Sequence, residues 1–370
     1  MSAAYYLGLM SGTSLDGLDI ALCNFDGHGR PQLKAATTMP LPASLKQGLW
    51  ALTQPSAAEL DQFGSLDRSF AIFCADAINS FLAAHAIAAQ TVVAIGSHGQ
   101  TVRHRPDADP RFSIQLGCAA TIAALTGIDV IANFRQKDIA LGGQGAPLAP
   151  AFHRALFHRQ GERLAIVNIG GIANATLFDV NGDMTGFDTG PGNGLMDSWY
   201  QLHHANATLA YDKDGDWAKL GSVSERLLQR CLADPYFSRE GPKSTGREYF
   251  QLSWLHNQLT DLQANPVDIQ RTLLELTAQT IAQPLLHAQV ETCYLCGGGA
   301  HNQLLQARLA DLLPHTQVAS SAARGVHPDT VEALAFAWLA WCFIERKPVD
   351  LSKVTGAGRN AILGALYPAA

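Results

Sequence analysis

Three glycine-bearing turns stand out among the residues whose types and spacing could do chemistry. Gly12-Thr13-Ser14-Leu15-Asp16-Gly17 separates two β-like runs, residues 5–11 and 18–25. Gly170-Gly171-Ile172-Ala173-Asn174 separates runs 164–169 and 175–180, and Gly297-Gly298-Gly299 follows run 292–296. Glycine admits positive φ and lets backbone approach a ligand closely. Turn N–H groups that point one way form a nest for an anion such as phosphate. The first turn adds the hydroxyls of Ser11, Thr13 and Ser14, and Asp16 and Asp19 could hold a hydrated Mg²⁺. One such turn is no more than an ordinary hairpin; three of them favour phosphate binding.

A second set is carboxylates and cations. Asp188 lies in Gly186-Phe187-Asp188-Thr189-Gly190-Pro191-Gly192-Asn193, read as a glycine-rich loop just ahead of a helix. It serves there either as a general base or as a capping or turn acid; the crowd of small residues around one acid favours the base. His98 and His104 bracket Gly99-Gln100-Thr101-Val102-Arg103. No third metal ligand can be placed with them, and His98 either lines a cleft with Gln100 or closes a strand. Arg135 and Lys137 with Asp138 are an anion-binding set or an exposed loop. Glu332, at the start of an otherwise apolar run, is a helix-start charge or a ligand contact. The lone C-x-x-C of Cys293 and Cys296 lacks the second ligand pair that zinc needs. There is no G-x-x-x-x-G-K-[ST], and in Gly190-Pro191-Gly192-Asn193-Gly194 the proline removes an N–H.

The elements that must position these residues alternate between β and α patterns. Strands are expected at 5–11, 18–25, 33–39, 92–96, 112–115, 130–134, 164–169, 175–180 and 292–296. Apolar residues at three- and four-residue steps predict a helix over 57–85. Further helices are expected at 119–126, 151–157, 196–204, 222–233, 272–287 and 330–345. The polar segment 135–138 with Gly142-Gly143-Gln144-Gly145 reads as the approach to a domain boundary. Strand, glycine turn, strand occurs near residue 5 and again near residue 164, which suggests two related halves. The expected division is 1–135, possibly completed by 350–370, and 136–349.

Composition bounds these readings. At about 150 residues per domain, 370 residues make about two domains. With 26 basic and 32 acidic residues the net charge is −6, against a nucleic-acid partner. Charged residues are 16% and apolar residues 47%, which excludes wholesale disorder. Glycine, 33 residues or about 9%, exceeds the usual ~7%. The start of the chain lacks the basic region of a signal peptide. The charge-free stretch 77–102 carries too many polar residues for a membrane span. Seven cysteines, an odd number in apolar contexts, read as reduced thiols of a cytoplasmic protein.

Together, Gly8-Leu9-Met10-Ser11-Gly12-Thr13-Ser14-Leu15-Asp16-Gly17, Gly96-Ser97-His98-Gly99-Gln100-Thr101, Gly142-Gly143-Gln144-Gly145-Ala146-Pro147, Asn168-Ile169-Gly170-Gly171 and Gly186-Phe187-Asp188-Thr189-Gly190-Pro191-Gly192-Asn193 resemble the anhydro-N-acetylmuramic acid kinase family. The resemblance runs to Ile362-Leu363-Gly364-Ala365-Leu366-Tyr367 and so spans essentially the whole chain. It implies two related α/β domains with an interdomain cleft, the fold of the actin, hexokinase and Hsp70-like ATPases. It further implies ATP- and Mg²⁺-dependent phosphorylation of 1,6-anhydro-N-acetylmuramic acid, with opening of the anhydro ring, in cell-wall recycling, and a homodimer. Carried over, Gly12, Thr13, Ser14, Leu15, Asp16, Gly17, Leu18 and Asp19 form the first phosphate loop, with Asp16 holding Mg²⁺ through water. Asn168, Gly170 and Gly171 belong to the second phosphate loop, and Gly297, Gly298 and Gly299 to the adenosine-side turn. Asp188 is the base; His98, Gln100, Arg135 and Glu332 meet the sugar. Thr189 stands where some relatives have Cys. The alternatives are another sugar or acetate kinase of the same superfold, or an ATP-driven chaperone or filament protein. The last is disfavoured because about two dozen residues follow position 345, too few for an added domain.

Overall fold

The computed structural model describes residues 4–12, 15, 17–53, 60–239, 243–246 and 249–370. Thr13, Ser14 and Asp16 of the first phosphate loop, and with them the expected Mg²⁺ contact of Asp16, lie outside the described residues. The chain divides into two compact units, Met1–Leu156 with Thr330–Ala370, and Phe157–Asp329.

The first unit carries β1 (Tyr5–Ser11), β2 (Gly17–Phe25), β3 (Pro31–Pro40), β4 (Val92–Arg105), β5 (Phe112–Leu116) and β6 (Val130–Ala132). The second carries β7 (Leu164–Ile169), β8 (Ile172–Phe178), β9 (Met184–Pro191), β10 (Thr292–Cys296) and β11 (Gln317–Ser320). A last strand, β12 (Ala365–Tyr367), pairs antiparallel with β6 in the first unit. The strand orders are β12-β6-β4-β1-β2-β3 and β11-β10-β7-β8-β9. In each unit the first three strands form an antiparallel meander. The fourth strand then joins the first in parallel, and a further strand joins the fourth in parallel. The internal repeat glimpsed as strand, turn, strand is thus a repeat of a whole sheet. The fold is mixed α/β with two related halves, as the resemblance implies.

Local sequence explains the main elements. Every residue of β7 is buried, and its run of Leu164, Ala165, Ile166 and Val167 is that of a strand covered on both faces. The helix Leu60–Ala84 buries Phe70, Cys74, Ile78 and Phe81 at three- and four-residue steps. The helix Pro266–His287 begins with proline in its first turn, where no N–H is missed. Leu7, Leu9, Ile20, Leu22, Ile78 and Ile95 belong to the core of the first unit; Val167, Ile169, Leu274, Ile281 and Leu295 belong to that of the second.

The helix Val331–Ile344 belongs to the first unit, as do residues 136–156, so the unit boundaries fall at 156/157 and 329/330 rather than at 135/136 and 349/350. The reason is packing. The helix is apolar on nearly every side and rests on β1, β2 and β4. No described helix is long and apolar enough to cross a membrane, and no disulfide links the seven cysteines.

Candidate active site

In the first unit the turn after β1 is braced from below. Ser11 Oγ donates to Gln100 Oε1 at 2.6 Å, and Gln100 Nε2 donates to the Gly12 carbonyl at 3.3 Å. Both side chains are buried, Ser11 at 1% and Gln100 at 0% exposure. Gln100 therefore shapes the turn. Leu15 N–H closes the turn on the Gly12 carbonyl at 3.2 Å, and the Leu15 and Leu18 side chains are core residues of this unit. Those two residues have only backbone to offer a ligand. Asp19 accepts from Thr38 Oγ1 at 2.6 Å on the neighbouring strand.

His98 does not close a strand: β4 runs on to Arg105, with a register break near Gln100 and positive φ at Gly99. Its Nε2 sits 2.8 Å from an Arg135 NH2 group, so the ring is neutral and accepts that bond. Burial first, and then the Arg135 charge, push the His98 pKa down to about 3. Arg135 lies on a short helix, Phe134–Ala140, not in a loop. Its NH1 donates to the Gly145 carbonyl at 2.7 Å, while its buried Nε–H has no partner among the described residues. Asp138 fixes this arrangement rather than binding an anion. It is 2% exposed and accepts from Gly145 N–H and from Thr355 Oγ1, each at 2.7 Å. Glu332, the second residue of its helix, has its pKa pushed up to about 7, chiefly by burial and then by the charge of Asp19.

In the second unit, cross-strand register assembles a polar row. Cys296 of β10 pairs with Asn168, Asn168 with Asn174, and Asn174 with Asp188. Asp188 is on β9, not in a loop, and the residue at the cap of the helix Asn193–His203 is Gly192. Capping is therefore not its role. Its Oδ2 accepts from Thr245 N–H at 2.9 Å, and among the described residues its Oδ1 accepts nothing. Burial pushes its pKa up to about 6 against the opposing pull of the Thr245 N–H. A carboxylate near neutrality with one free oxygen is suited to take a proton.

The second and third glycine turns meet at Asn193. Its backbone N–H reaches the Gly170 carbonyl at 2.7 Å, and its Nδ2 reaches the Ile169 carbonyl at 3.1 Å. A Cβ on Gly297, which has φ +75°, would come within 2.3 Å of Asn168 Oδ1. One on Gly299 would come within 2.3 Å of Ile169 Cγ2. These two glycines are thus required by packing. Gly298 and Gly170 have room, with nothing nearer than 3.7 and 3.6 Å. Asn168 Oδ1 is buried without a partner among the described residues, an acceptor left over beside both turns.

Sequence reasoning passed over residues 243–246, which supply the bond to Asp188. The signal was present in Gly241-Pro242-Lys243-Ser244-Thr245-Gly246, a cluster as rich in turn residues as the three turns above.

Among the described residues no group of three or more His, Cys, Asp or Glu is placed to hold a metal. Mg²⁺ does not need such a cage, since one or two carboxylates with phosphate and water suffice. Asp19, close enough to Glu332 to raise its pKa, makes an electrostatic setting that a cation relieves.

Two α/β units of one strand plan, each opening on a glycine-bearing hairpin, with a carboxylate of raised pKa on the second, have the parts that suit a phosphotransferase. The particular kind follows from comparison with known proteins. The model of the anhydro-N-acetylmuramic acid kinase family matches residues 4–369, and the chain belongs to that family. An anhydro-N-acetylmuramic acid kinase of Shewanella pealeana is 50% identical over 372 residues, covering 100% of each chain. One of Idiomarina loihiensis is 46% identical over 362 residues, covering 97% of this chain and 98% of the relative. Among solved structures, the activator of the 2-hydroxyisocaproyl-CoA dehydratase from Clostridium difficile, with bound ADPNP, is 12% identical at a TM-score of 0.45. That likeness covers 92% of this chain and 96% of the other.

Proposed function

We propose that this kinase transfers the γ-phosphoryl group of ATP to O6 of 1,6-anhydro-N-acetylmuramic acid while water opens the anhydro ring. The product is N-acetylmuramic acid 6-phosphate, and the role is recycling of cell-wall amino sugar. The observation that carries the reading is the state of Asp188: one oxygen held by an N–H, the other open among the described residues, and a pKa raised to about 6.

The substrate has no free 6-hydroxyl, because O6 is bonded to C1. The C1–O6 bond breaks as a water oxygen bonds to C1, and O6 forms its bond to γ-phosphorus as ADP leaves. Asp188 Oδ1 takes the proton of that water. Phosphoryl transfer otherwise asks for positioning and charge neutralisation. The backbone of Gly12, Gly17, Gly170, Gly171 and Gly298 supplies the first. Bound Mg²⁺ neutralises phosphate charge, with Asp19 the described carboxylate that would hold it. The Arg135 Nε–H, buried and unpartnered among the described residues, is available to the lactyl carboxylate. Glu332, with its pKa raised to about 7, holds a proton part of the time at neutral pH and can then donate to, as well as accept from, sugar hydroxyls. Gln100 and His98 act behind these groups. The protein works in the cytoplasm as a homodimer, as the family resemblance implies.

The test is turnover of anhydro-N-acetylmuramic acid with ATP and Mg²⁺ in H₂¹⁸O, followed by mass analysis. The product's C1 hydroxyl carries one label per phosphate transferred. An unlabelled C1 oxygen would refute the ring-opening step and leave an ordinary sugar kinase.

A further inference from the structure

The hydrogen bonds around Asp188 close on themselves. Tyr236 OH donates to the Asp188 carbonyl at 2.7 Å. Lys243 Nζ donates to the Tyr236 carbonyl at 3.3 Å and to the Phe237 carbonyl at 3.4 Å. Asp188 N–H in turn donates to the Lys243 carbonyl at 2.9 Å. From this ring one further bond, Thr245 N–H to Asp188 Oδ2, reaches the carboxylate itself.

We propose that residues 243–246 are a positioning strap for the base, with Thr245 N–H fixing Oδ2 so that Oδ1 alone faces the water. This rests on the reading of Asp188 as the base. β9 is the outer strand of its sheet, so one side of its backbone needs cover. A mere cover would pair backbone with backbone throughout. Here the second backbone donor is spent on a carboxylate, a charge-assisted bond of stronger kind. The placement of Lys243 supports the same role. A lysine bonded to Asp188 would hold the carboxyl well below its ordinary range and spoil it as a base. Lys243 instead spends its ammonium on two neutral carbonyls and lies 4.9 Å from the centre of the Tyr236 ring. It anchors the strap without pairing with the carboxylate.

The other groups around Asp188 leave room for this control. Asn174, its partner on β8, is neutral. The helix Pro266–His287 meets the end of β9 through the hydroxyl of Thr277, which donates to the Pro191 carbonyl at 3.0 Å, and through Thr280. Tyr236 is a neutral phenol whose pKa burial raises, and Arg239 lies 5.7 Å from its ring. The Thr245 N–H favours the ionised carboxylate, so its loss raises the pKa of Asp188.

The experiment is the pH profile of kcat/KM for the amino sugar in the full-length protein. Thr245→Pro deletes the N–H; Thr245→Ala keeps it. The acidic midpoint moves up by about one pH unit in Thr245→Pro, stays at its wild-type value in Thr245→Ala, and KM for ATP is unchanged in both. A coincident midpoint in Thr245→Pro, or an equal displacement in Thr245→Ala, overturns the proposal. If Thr245→Pro does not fold, Lys243→Met carries the test. Its kcat falls on the order of tenfold with KM for ATP unchanged, and Lys243→Arg recovers most of the loss. An unaltered kcat in Lys243→Met then overturns the strap. Asp188→Asn measured alongside separates the two ideas: retained turnover there removes the base itself, whereas an unmoved Thr245→Pro midpoint removes only the strap.

Discussion

Gly8 of β1 and Gly96 of β4 sit side by side in parallel register, and the backbone of the helix Val331–Ile344 lies directly on them. A Cβ on Gly8 would stand 1.8 Å from the Ala333 carbonyl oxygen, and one on Gly96 would stand 1.9 Å from that of Phe336. Neither neighbour is the tip of a flexible side chain. The helix must move, and with it Glu332 in its first turn.

Gly96→Ala is therefore expected to cost at least about 3 kcal/mol, beyond the usual overpacking range, because backbone rather than side chain must give. Gly64→Ala is the internal control. Gly64 lies within the helix Leu60–Ala84 with nothing within 4 Å of a built Cβ. There alanine is expected to stabilise by about 0.5–1 kcal/mol. Chemical denaturation of the two variants decides the matter; equal midpoints would show that the helix yields freely.

How far the sequence spoke depended on whether the signal was local. β1, β7 and the helix Ala119–Thr126 have the bounds that their residues predict, because each is set by its own apolar pattern. Gly186, Gly190 and Gly192 around Asp188 predict a loop. Yet β8 supplies a partner that makes Met184–Pro191 a strand, and pairing across strands has no local signature. The polar neighbours of Arg135 suggest a loop, but Asp138, bonded to Gly145 N–H and Thr355 Oγ1, ties the end of its short helix to the glycine segment that follows. Gly297 and Gly299 suggest backbone open to a nucleotide, and the neighbours that a Cβ there would meet are Asn168 and Ile169. Glycine marks a close approach of backbone; it does not say what approaches. The helix Val331–Ile344 shows the same limit, since apolar character announces burial without saying on which sheet.

Asp138 offers a separable test of the Arg135 arrangement. Asp138→Ala leaves Gly145 N–H without its acceptor, while Thr355 Oγ1 keeps the Leu351 carbonyl at 3.1 Å, so the cost is about 1–3 kcal/mol for one buried donor. The Gly145 carbonyl then no longer holds Arg135 NH1 in place. If Arg135 meets the substrate carboxylate, KM for the amino sugar rises about tenfold or more while KM for ATP does not. A parallel rise in both would mean that the variant disturbs the protein as a whole. An unchanged KM for the sugar would remove Arg135 from the substrate.

Asp188→Asn separates activity from stability, because the two should move in opposite directions. As a general base coupled to ring opening, Asp188 is worth at least about 10³-fold in turnover, so the variant should lose that much while still binding ATP. In the wild type, kcat/KM should fall as pH drops through about 6, where the carboxylate takes up its proton. Stability runs the other way. The folded-state pKa lies above the unfolded value of about 3.9, so the folded protein binds the extra proton between those limits. The advantage of the protonated form is complete below about 4 and is lost as pH rises through about 6. At neutral pH the wild type bears the strain of a buried carboxylate, whereas the asparagine amide is neutral and its oxygen still accepts from Thr245 N–H. The variant should therefore be more stable than the wild type at pH 8, by about 1–3 kcal/mol. The gap should close at pH 4. Thermal melts at the two pH values, beside turnover, make the comparison; equal stability at pH 8 would mean that Asp188 is solvated well enough to ionise at the ordinary carboxylate pKa.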